Sequence, residues 1–221
     1  MRHVRYVLGV SSAVMGIFCL TLPLEAEMYV AGQVGANIPN SLSSVEYSAF
    51  GVTLGGSDLS LQNSLMYGAK AGYYFDSLKV QNFNLGVETE VFNSTPHIKQ
   101  QQATIGPASG TLQGLTNRVL TWAPLVLVVR YQAGAFEPYA GVGLGVFFSR
   151  ISDGTDSSSS TDVGLNTQLG LRYRMNPNLS LFTEWKYNYA NIEHNNLLGS
   201  GIDLSANYNA NIFAAGVGYH F

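Results

Sequence analysis

Seven charged side chains lie within stretches of sequence that are otherwise apolar or small. Each has the parity opposite to the apolar and aromatic residues of its own stretch, so all seven face one interior if these stretches are strands. Buried charges are costly unless they are paired and hydrogen-bonded. Mixed signs therefore predict an ion-paired structural cluster, and the alternative chemistry is a gate or a path for protons or ions. The seven are Lys70, Glu88, Glu90, Arg130, Arg172, Glu184 and Lys186.

The depth of these charges along each stretch gives a pairing hypothesis. If Phe75 pairs with Phe83, Lys70 lies directly opposite Glu88. Glu184 lies at the same height, so we expect it near the charged end of Lys70. Of the other charged residues, Glu90 and Lys186 lie one layer further from the aromatic ends of their strands. Arg130 and Arg172 lie one residue from those aromatic ends, at the mouth of the predicted interior.

The histidines offer a second kind of chemistry. Acyl transfer would need a nucleophile, a histidine base and an orienting carboxylate within hydrogen-bond reach. Glu193 and His194 are adjacent, but Asn195 and Asn196 follow them where a serine would be required. We interpret His194 as a solvated loop residue, and we expect no enzyme activity, no metal and no cofactor.

Period-two alternation identifies the elements that must position these residues. It is clearest over 209–221, where Phe213, Val217, Tyr219 and Phe221 share one parity and small or polar residues fill the other. Alternate residues of a strand point to opposite faces. The sequence contains eight such stretches, over 28–37, 64–75, 83–93, 118–131, 139–149, 163–174, 179–190 and 208–221.

The connections between these strands alternate in length. Long segments are predicted at 38–63, 94–117, 150–162 and 191–207, and short turns at 76–82, 132–138 and 175–178. The polar stretch 152–162 is predicted to be an exposed loop. An antiparallel barrel with short periplasmic turns and long extracellular loops has this alternation. We therefore predict an all-β fold, a closed antiparallel eight-stranded transmembrane β-barrel.

Aromatic residues at the short-turn ends support this prediction. They share parity with the apolar face of their strands, which is typical of an aromatic girdle at a membrane interface. Pro124 interrupts the fourth strand and predicts a bulge there. The predicted girdle at the periplasmic end comprises Phe75, Phe83, Tyr131, Tyr173 and Phe221.

Composition and the N-terminal sequence limit the remaining possibilities. Arg2 and Arg5 precede an apolar run, which predicts a signal peptide over 1–26 and a barrel domain over 27–221. Charged residues make up only 11% of the chain and the formal net charge is −3. Because no basic patch is present, nucleic acid is not an expected partner.

The chain resembles the small eight-stranded outer-membrane barrels of the OmpA, OmpX and opacity-protein type. The resemblance rests on the run from Glu137 to Val146 (EPYAGVGLGV), on Thr183 to Tyr189 (TEWKYNY) and on Phe221. It implies the bacterial outer membrane as location, with outer-membrane lipid and lipopolysaccharide as surroundings. It also implies that the last strand, with Phe213, Tyr219 and Phe221, is an assembly signal read by the barrel-assembly machinery.

Three functions remain open at this stage. The leading one is a monomeric surface platform that contacts an unknown extracellular ligand through its loops, as in adhesion or surface antigenicity. The alternative is a narrow transport barrel for small or hydrophobic solutes, in which inward-facing Gly141, Gly143 and Gly145 leave room for a thread of water. A weaker third is a lipid-A-modifying enzyme.

Overall fold

The computed structural model describes residues 27–221, so the predicted signal peptide lies outside the described residues. A short 3-10 turn, Leu197–Gly199, is the helical element of this part of the chain, and no helix within it is long or apolar enough to cross a membrane. The strands are β1 (Glu27–Pro39), β2 (Ser43–Ala49), β3 (Val52–Gly55), β4 (Ser64–Val80), β5 (Phe83–Ser94), β6 (Gln101–Ile105), β7 (Ala108–Leu112), β8 (Thr116–Tyr131), β9 (Phe136–Ser152), β10 (Ser157–Arg174), β11 (Leu179–His194) and β12 (Asp203–His220).

Eight of these strands form a closed antiparallel ring in the order β1, β4, β5, β8, β9, β10, β11, β12. The ring closes because β12 pairs with β1, from Tyr29 opposite His220 to Pro39 opposite Ala210. Closure leaves the ring without a free edge, so its backbone polar groups are satisfied within the sheet. The prediction of a closed eight-stranded barrel is confirmed.

The two faces of the wall differ as the alternation predicts. In β8 the inward side chain of Val126 is fully buried, whereas the outward Leu127 is 60% exposed. The outward face carries exposed apolar side chains on every strand of the ring, among them Val30, Leu144 and Val217. Such a surface suits a hydrocarbon surrounding rather than water.

Pro124 lies at a break in the pairing of β8 with both of its neighbours. The register shifts between Trp122 and Leu125 on the β9 side, and between the partners of Glu88 and Glu90 on the β5 side. Proline has no backbone N–H to give to a ladder, so a bulge accommodates it. The predicted irregularity is confirmed.

Most strands are longer than predicted, and they extend furthest into segments that were predicted to be loops. Residues 157–162 pair with β9, so the predicted exposed loop over 152–162 is wrong except for a turn at 153–156. Ser158 within it is buried and its hydroxyl donates to the backbone oxygen of Asn195. The long connections contain two further hairpins, β2–β3 and β6–β7. We call the end of the barrel that carries them the loop end, and the opposite end the turn end.

The register across the first short turn also differs from the hypothesis. Phe75 pairs with Leu85 rather than with Phe83, and Lys70 lies opposite Glu90 rather than Glu88. The difference arises because β4 continues to Val80 and the turn is confined to 81–82. Register of this kind is set by the turn, which composition alone does not fix.

Aromatic side chains ring the outer surface at the turn end. Phe83 and Tyr131 are cross-strand partners with ring centroids 4.9 Å apart, and Tyr173 lies 5.1 Å from Phe136. Tyr219 packs edge-on against Phe221 at 5.1 Å. Phe213 is not part of this girdle, because it lies halfway along β12, opposite Trp185. The assembly role of the last strand stays a prediction.

Candidate functional site

Five of the predicted charges meet halfway along the lumen and form what we call the middle cluster: Lys70, Glu88, Glu90, Glu184 and Lys186. Lys70 Nζ donates to Glu88 Oε1 at 3.0 Å and also to Glu184, which reaches it from the far wall. The structure thus brings Lys70 to Glu88 despite the different register. A narrow lumen filled by side chains allows such contacts between strands that are not neighbours.

The second lysine completes the middle cluster. Lys186 Nζ lies 2.6 Å from Glu90 Oε2 and 2.8 Å from Glu184 Oε2. Amides also donate to two of these carboxylates: Gln168 donates to Glu88 at 2.8 Å, and Gln33 and Asn166 donate to Glu90 at 3.1 and 3.0 Å. All five charged side chains are almost fully buried, and each carboxylate therefore has at least one cation and one further donor.

A second group, the mouth cluster, closes the turn end of the lumen and comprises Glu27, Arg130, Glu137, Arg172 and Arg174. Arg130 forms a two-pronged pair with Glu27 and lies 3.3 Å from Glu137 Oε2. Arg174 reaches both carboxylates. Two-pronged pairing between guanidinium and carboxylate is geometrically specific as well as strong.

Three tyrosine rings separate the two clusters and connect them. The Arg172 guanidinium lies 4.3 Å from the ring centroid of Tyr29 and 5.3 Å from that of Tyr139, close enough for cation–π attraction. The hydroxyl groups point the other way: Tyr29 donates to Glu88, and Tyr139 donates to Glu184 at 2.6 Å. The third ring, Tyr74, stacks on Tyr29 with centroids 5.9 Å apart.

The charges of the two clusters balance only when both are counted together. The middle cluster has one more carboxylate than it has lysines, and the mouth cluster has one more guanidinium than it has carboxylates. Arg172 of the mouth cluster lies beside the tyrosines that bind Glu88 and Glu184, so it faces the excess carboxylate charge of the middle cluster. The two clusters therefore form one neutral network that runs from the middle of the lumen to its turn end.

The sequence analysis does not identify the two acidic members of the mouth cluster. Glu27 and Glu137 were placed outside the strands, whereas the structure includes both, since β1 begins at Glu27 and β9 begins at Phe136. Their inward parity is the signal that could have identified them.

The lumenal tyrosines were missed as well, although glycines mark their positions. Tyr29 lies opposite Gly72, Tyr139 opposite Gly170 and Tyr74 opposite Gly86. A Cβ on Gly72 or on Gly170 would come within 2.3 Å of the tyrosine ring that faces it. Each glycine thus leaves space for the ring that faces it.

The inward glycines of β9 do not leave room for water, contrary to the expectation from sequence. A Cβ on Gly141 would meet Gln168 and Val126 at 3.0 Å, and one on Gly145 would meet the Phe147 ring at 2.8 Å. A Cβ on Gly143 would meet the backbone of β8. The space beside these glycines is filled by protein.

Two histidines are buried, which corrects the interpretation of His194 as a solvated loop residue. His194 Nε2 lies 2.8 Å from the hydroxyl oxygen of Ser149, and its Nδ1 has no hydrogen-bond partner among residues 27–221. The pair therefore lacks the orienting acid that a catalytic triad needs. His220 lies at the turn end, where it bridges Glu27 and Ser180 at 2.8 Å each.

The sequence matches the family model of the outer membrane protein beta-barrel domain over residues 11–221. The chain belongs to this family. Family membership implies a location in the bacterial outer membrane, as the resemblance suggested. No curated protein matches the sequence.

Solved structures of small outer-membrane barrels share the fold. Neisserial surface protein A is 15% identical, with a TM-score of 0.50, 89% of this chain and 99% of that chain covered. OprG from Pseudomonas aeruginosa is 15% identical, with a TM-score of 0.56 and coverage of 88% and 95%. The OmpT protease of Escherichia coli is more distant, at 11% identity and a TM-score of 0.42, covering 87% and 97%.

Proposed function

We propose that this outer-membrane barrel is a closed platform that binds components of the cell's surroundings through its loop end. The observation that carries the proposal is the occupation of the lumen by the middle and mouth clusters. Separating such pairs leaves a buried, uncompensated charge, so these clusters favour a fixed filling over a path for solutes. Binding is then left to the loop end, since loops on a rigid scaffold commonly carry function.

The tip of the β2–β3 hairpin is the contact point that we favour. Phe50 at this tip is fully exposed and has a backbone φ of 52°, which is uncommon for a bulky residue. β2 is itself held to the extended end of β12, with Ser48 opposite Asp203. A solvent-exposed aromatic ring in a strained turn, on a hairpin fixed to the wall, supports a role in contact with a partner.

The two other functions have less support. Transport through the lumen would need the paired charges to separate, and the space beside Gly141, Gly143 and Gly145 is already filled. Modification of lipid A would need a complete catalytic group, and the pair of Ser149 and His194 lacks an acid on Nδ1.

Reconstituted into a planar lipid bilayer, the unaltered barrel is expected to give no steady single-channel current. The reason is that the lumen holds two layers of paired side chains that an ion would have to displace. Recordings from bilayers that received detergent alone provide the baseline. A steady current proportional to voltage would contradict the closed platform and favour transport.

Replacing Phe50 by serine is expected to reduce the attachment of barrel-expressing cells to partner surfaces, because a central exposed aromatic ring is a typical hot spot. Attachment to immobilised matrix proteins and to other bacterial cells is measured with matched amounts of barrel in the outer membrane. Leu78→Ser, which removes an exposed apolar side chain at the turn end, is the control and should leave attachment unchanged. Equal attachment of cells with the barrel, without it and with Phe50→Ser on every surface would refute binding through this tip.

A further inference from the structure

An apolar cavity of about 320 Å³ lies at the loop end, above the barrel wall. The β6–β7 hairpin covers one side of it through Ala103, Ile105 and Leu112, and Leu197 and Ile202 line the opposite side. The connections that form it were predicted as loops, yet their apolar residues pack with the upper lumen into a single hydrophobic core. The cavity is therefore part of a packed structure and not a gap between mobile loops.

The lining of this cavity determines what it would accept. No charged side chain lines it within residues 27–221, and its polar side chains are hydroxyl groups, those of Tyr47, Ser109, Thr111 and Ser200. Burial raises the pKa of the Tyr47 phenol above its usual value, so this group is neutral as well. A charged ligand would lose its hydration there without gaining a partner.

We propose that this cavity binds one small uncharged apolar molecule, with hydroxyl groups at its edge available for a single hydrogen bond. A dry cavity of about 150 Å³ accepts benzene, so one of this size accommodates a molecule of about 10–15 non-hydrogen atoms. Ligand sites of this kind are mostly apolar, with a few polar groups that fix orientation. The size and the uncharged lining together select two-ring aromatic compounds or short acyl derivatives as the ligand class.

The cavity is a binding site and not the entrance to a pore. Beneath it the rings of Phe147 and Tyr208 pack edge-on with centroids 6.3 Å apart, and both are fully buried. Deeper in the lumen lie the paired charges of the middle cluster. A molecule that enters from the loop end must leave the same way, so the site suits capture or sensing of an apolar compound. This inference goes beyond the platform function and does not depend on Phe50 or on a macromolecular partner.

Photolabelling with benzophenone tests the proposal, because this uncharged two-ring probe has the predicted size and inserts into nearby C–H bonds. The barrel in lipid nanodiscs is irradiated with the probe, digested and mapped by mass spectrometry. We expect adducts on the β6–β7 hairpin and on the segment 197–204, and we expect excess naphthalene to remove them. Adducts on lipid-facing residues such as Val217 report partition of the probe into the bilayer. The same excess of naphthalene should leave those adducts unchanged.

A cavity-filling variant provides the second arm. Ala103→Phe places a ring in the cavity and should abolish the adducts at the loop end, whereas Ala215→Phe makes the same change on the exposed outer wall and should leave them intact. β-rich circular dichroism establishes that both variants are folded. If Ala103→Phe does not fold, competition by naphthalene on the unaltered barrel decides alone. Labelling confined to lipid-facing residues, or loop-end adducts that neither naphthalene nor Ala103→Phe reduces, would overturn the proposal.

Discussion

Replacing Lys70 by methionine is expected to lower the free energy of unfolding by about 3–5 kcal/mol, the usual cost of removing one partner from a buried ion pair. Lys70 contacts both Glu88 and Glu184, and all three side chains are almost fully buried. Without Lys70, the donors that Glu88 keeps among residues 27–221 are the neutral Tyr29 and Gln168. The measurement is urea unfolding of the barrel in detergent micelles, followed by the fluorescence of Trp122 and Trp185.

The double variant distinguishes a paired charge from a merely bulky one. Lys70→Met combined with Glu88→Met should be less destabilised than Lys70→Met alone, since removing both partners avoids an uncompensated carboxylate. Lys79→Met makes the same substitution at an exposed site near the first short turn and should change stability by less than about 0.5 kcal/mol. If the single and double variants unfold at the same urea concentration, pairing of Lys70 with Glu88 contributes nothing.

The architecture could be predicted because alternate residues of each barrel strand face the lumen and the outside, so the sequence alternates between two kinds of residue. The parity that turns Phe83 and Tyr131 outward also turns Glu88 and Arg130 inward, and one residue of slippage would invert both. Chain-wide parity therefore fixed the inward direction of the charges without any knowledge of register. Register itself depends on the turn at 81–82, where Gln81 has a positive φ of 54°. The sequence contains no signal that predicts this turn conformation.

Contacts across the lumen were only partly predictable. The equal depth of Lys70 and Glu184 along their strands correctly predicts their contact, because a narrow lumen lets long side chains meet from opposite walls. Which tyrosine connects the clusters depends on strand neighbours and on facing glycines, and these follow from the register. The pairing of Tyr139 with Gly170 could be read only after β9 and β10 were aligned.

The loop end was the least predictable part. Leu42, Leu59 and Ile98 lie in segments that the alternation predicts to be loops, whereas each is buried in the core above the lumen. Isolated bridges hold them there, including Leu42 with Leu59 and Ile98 with Leu115. Single bridges produce no periodic pattern, so the alternation that identifies wall strands cannot reveal them.

Replacing Gly170 by alanine is expected to destabilise the barrel by about 1–3 kcal/mol, the usual cost of forcing extra volume into a packed core. A Cβ at this position would lie 2.3 Å from Cζ and 2.5 Å from the hydroxyl oxygen of Tyr139. The ring cannot simply turn aside, because it is buried, donates to Glu184 at 2.6 Å and faces the Arg172 guanidinium. Urea unfolding in detergent micelles, with tryptophan fluorescence as the signal, measures the effect.

Two comparisons tie that loss of stability to the ring. Gly32→Ala adds the same methyl group on β1, where no atom of residues 27–221 other than its chain neighbours lies within 4 Å, so it should leave the unfolding midpoint nearly unchanged. In a Tyr139→Ala background the ring is gone, and adding Gly170→Ala should cost little further stability, which is the signature of coupling in a double-mutant cycle. Equal costs of Gly170→Ala in the two backgrounds would show that the glycine is required for the strand itself. In that case the position of Tyr139 between the two charged clusters would not depend on its facing glycine.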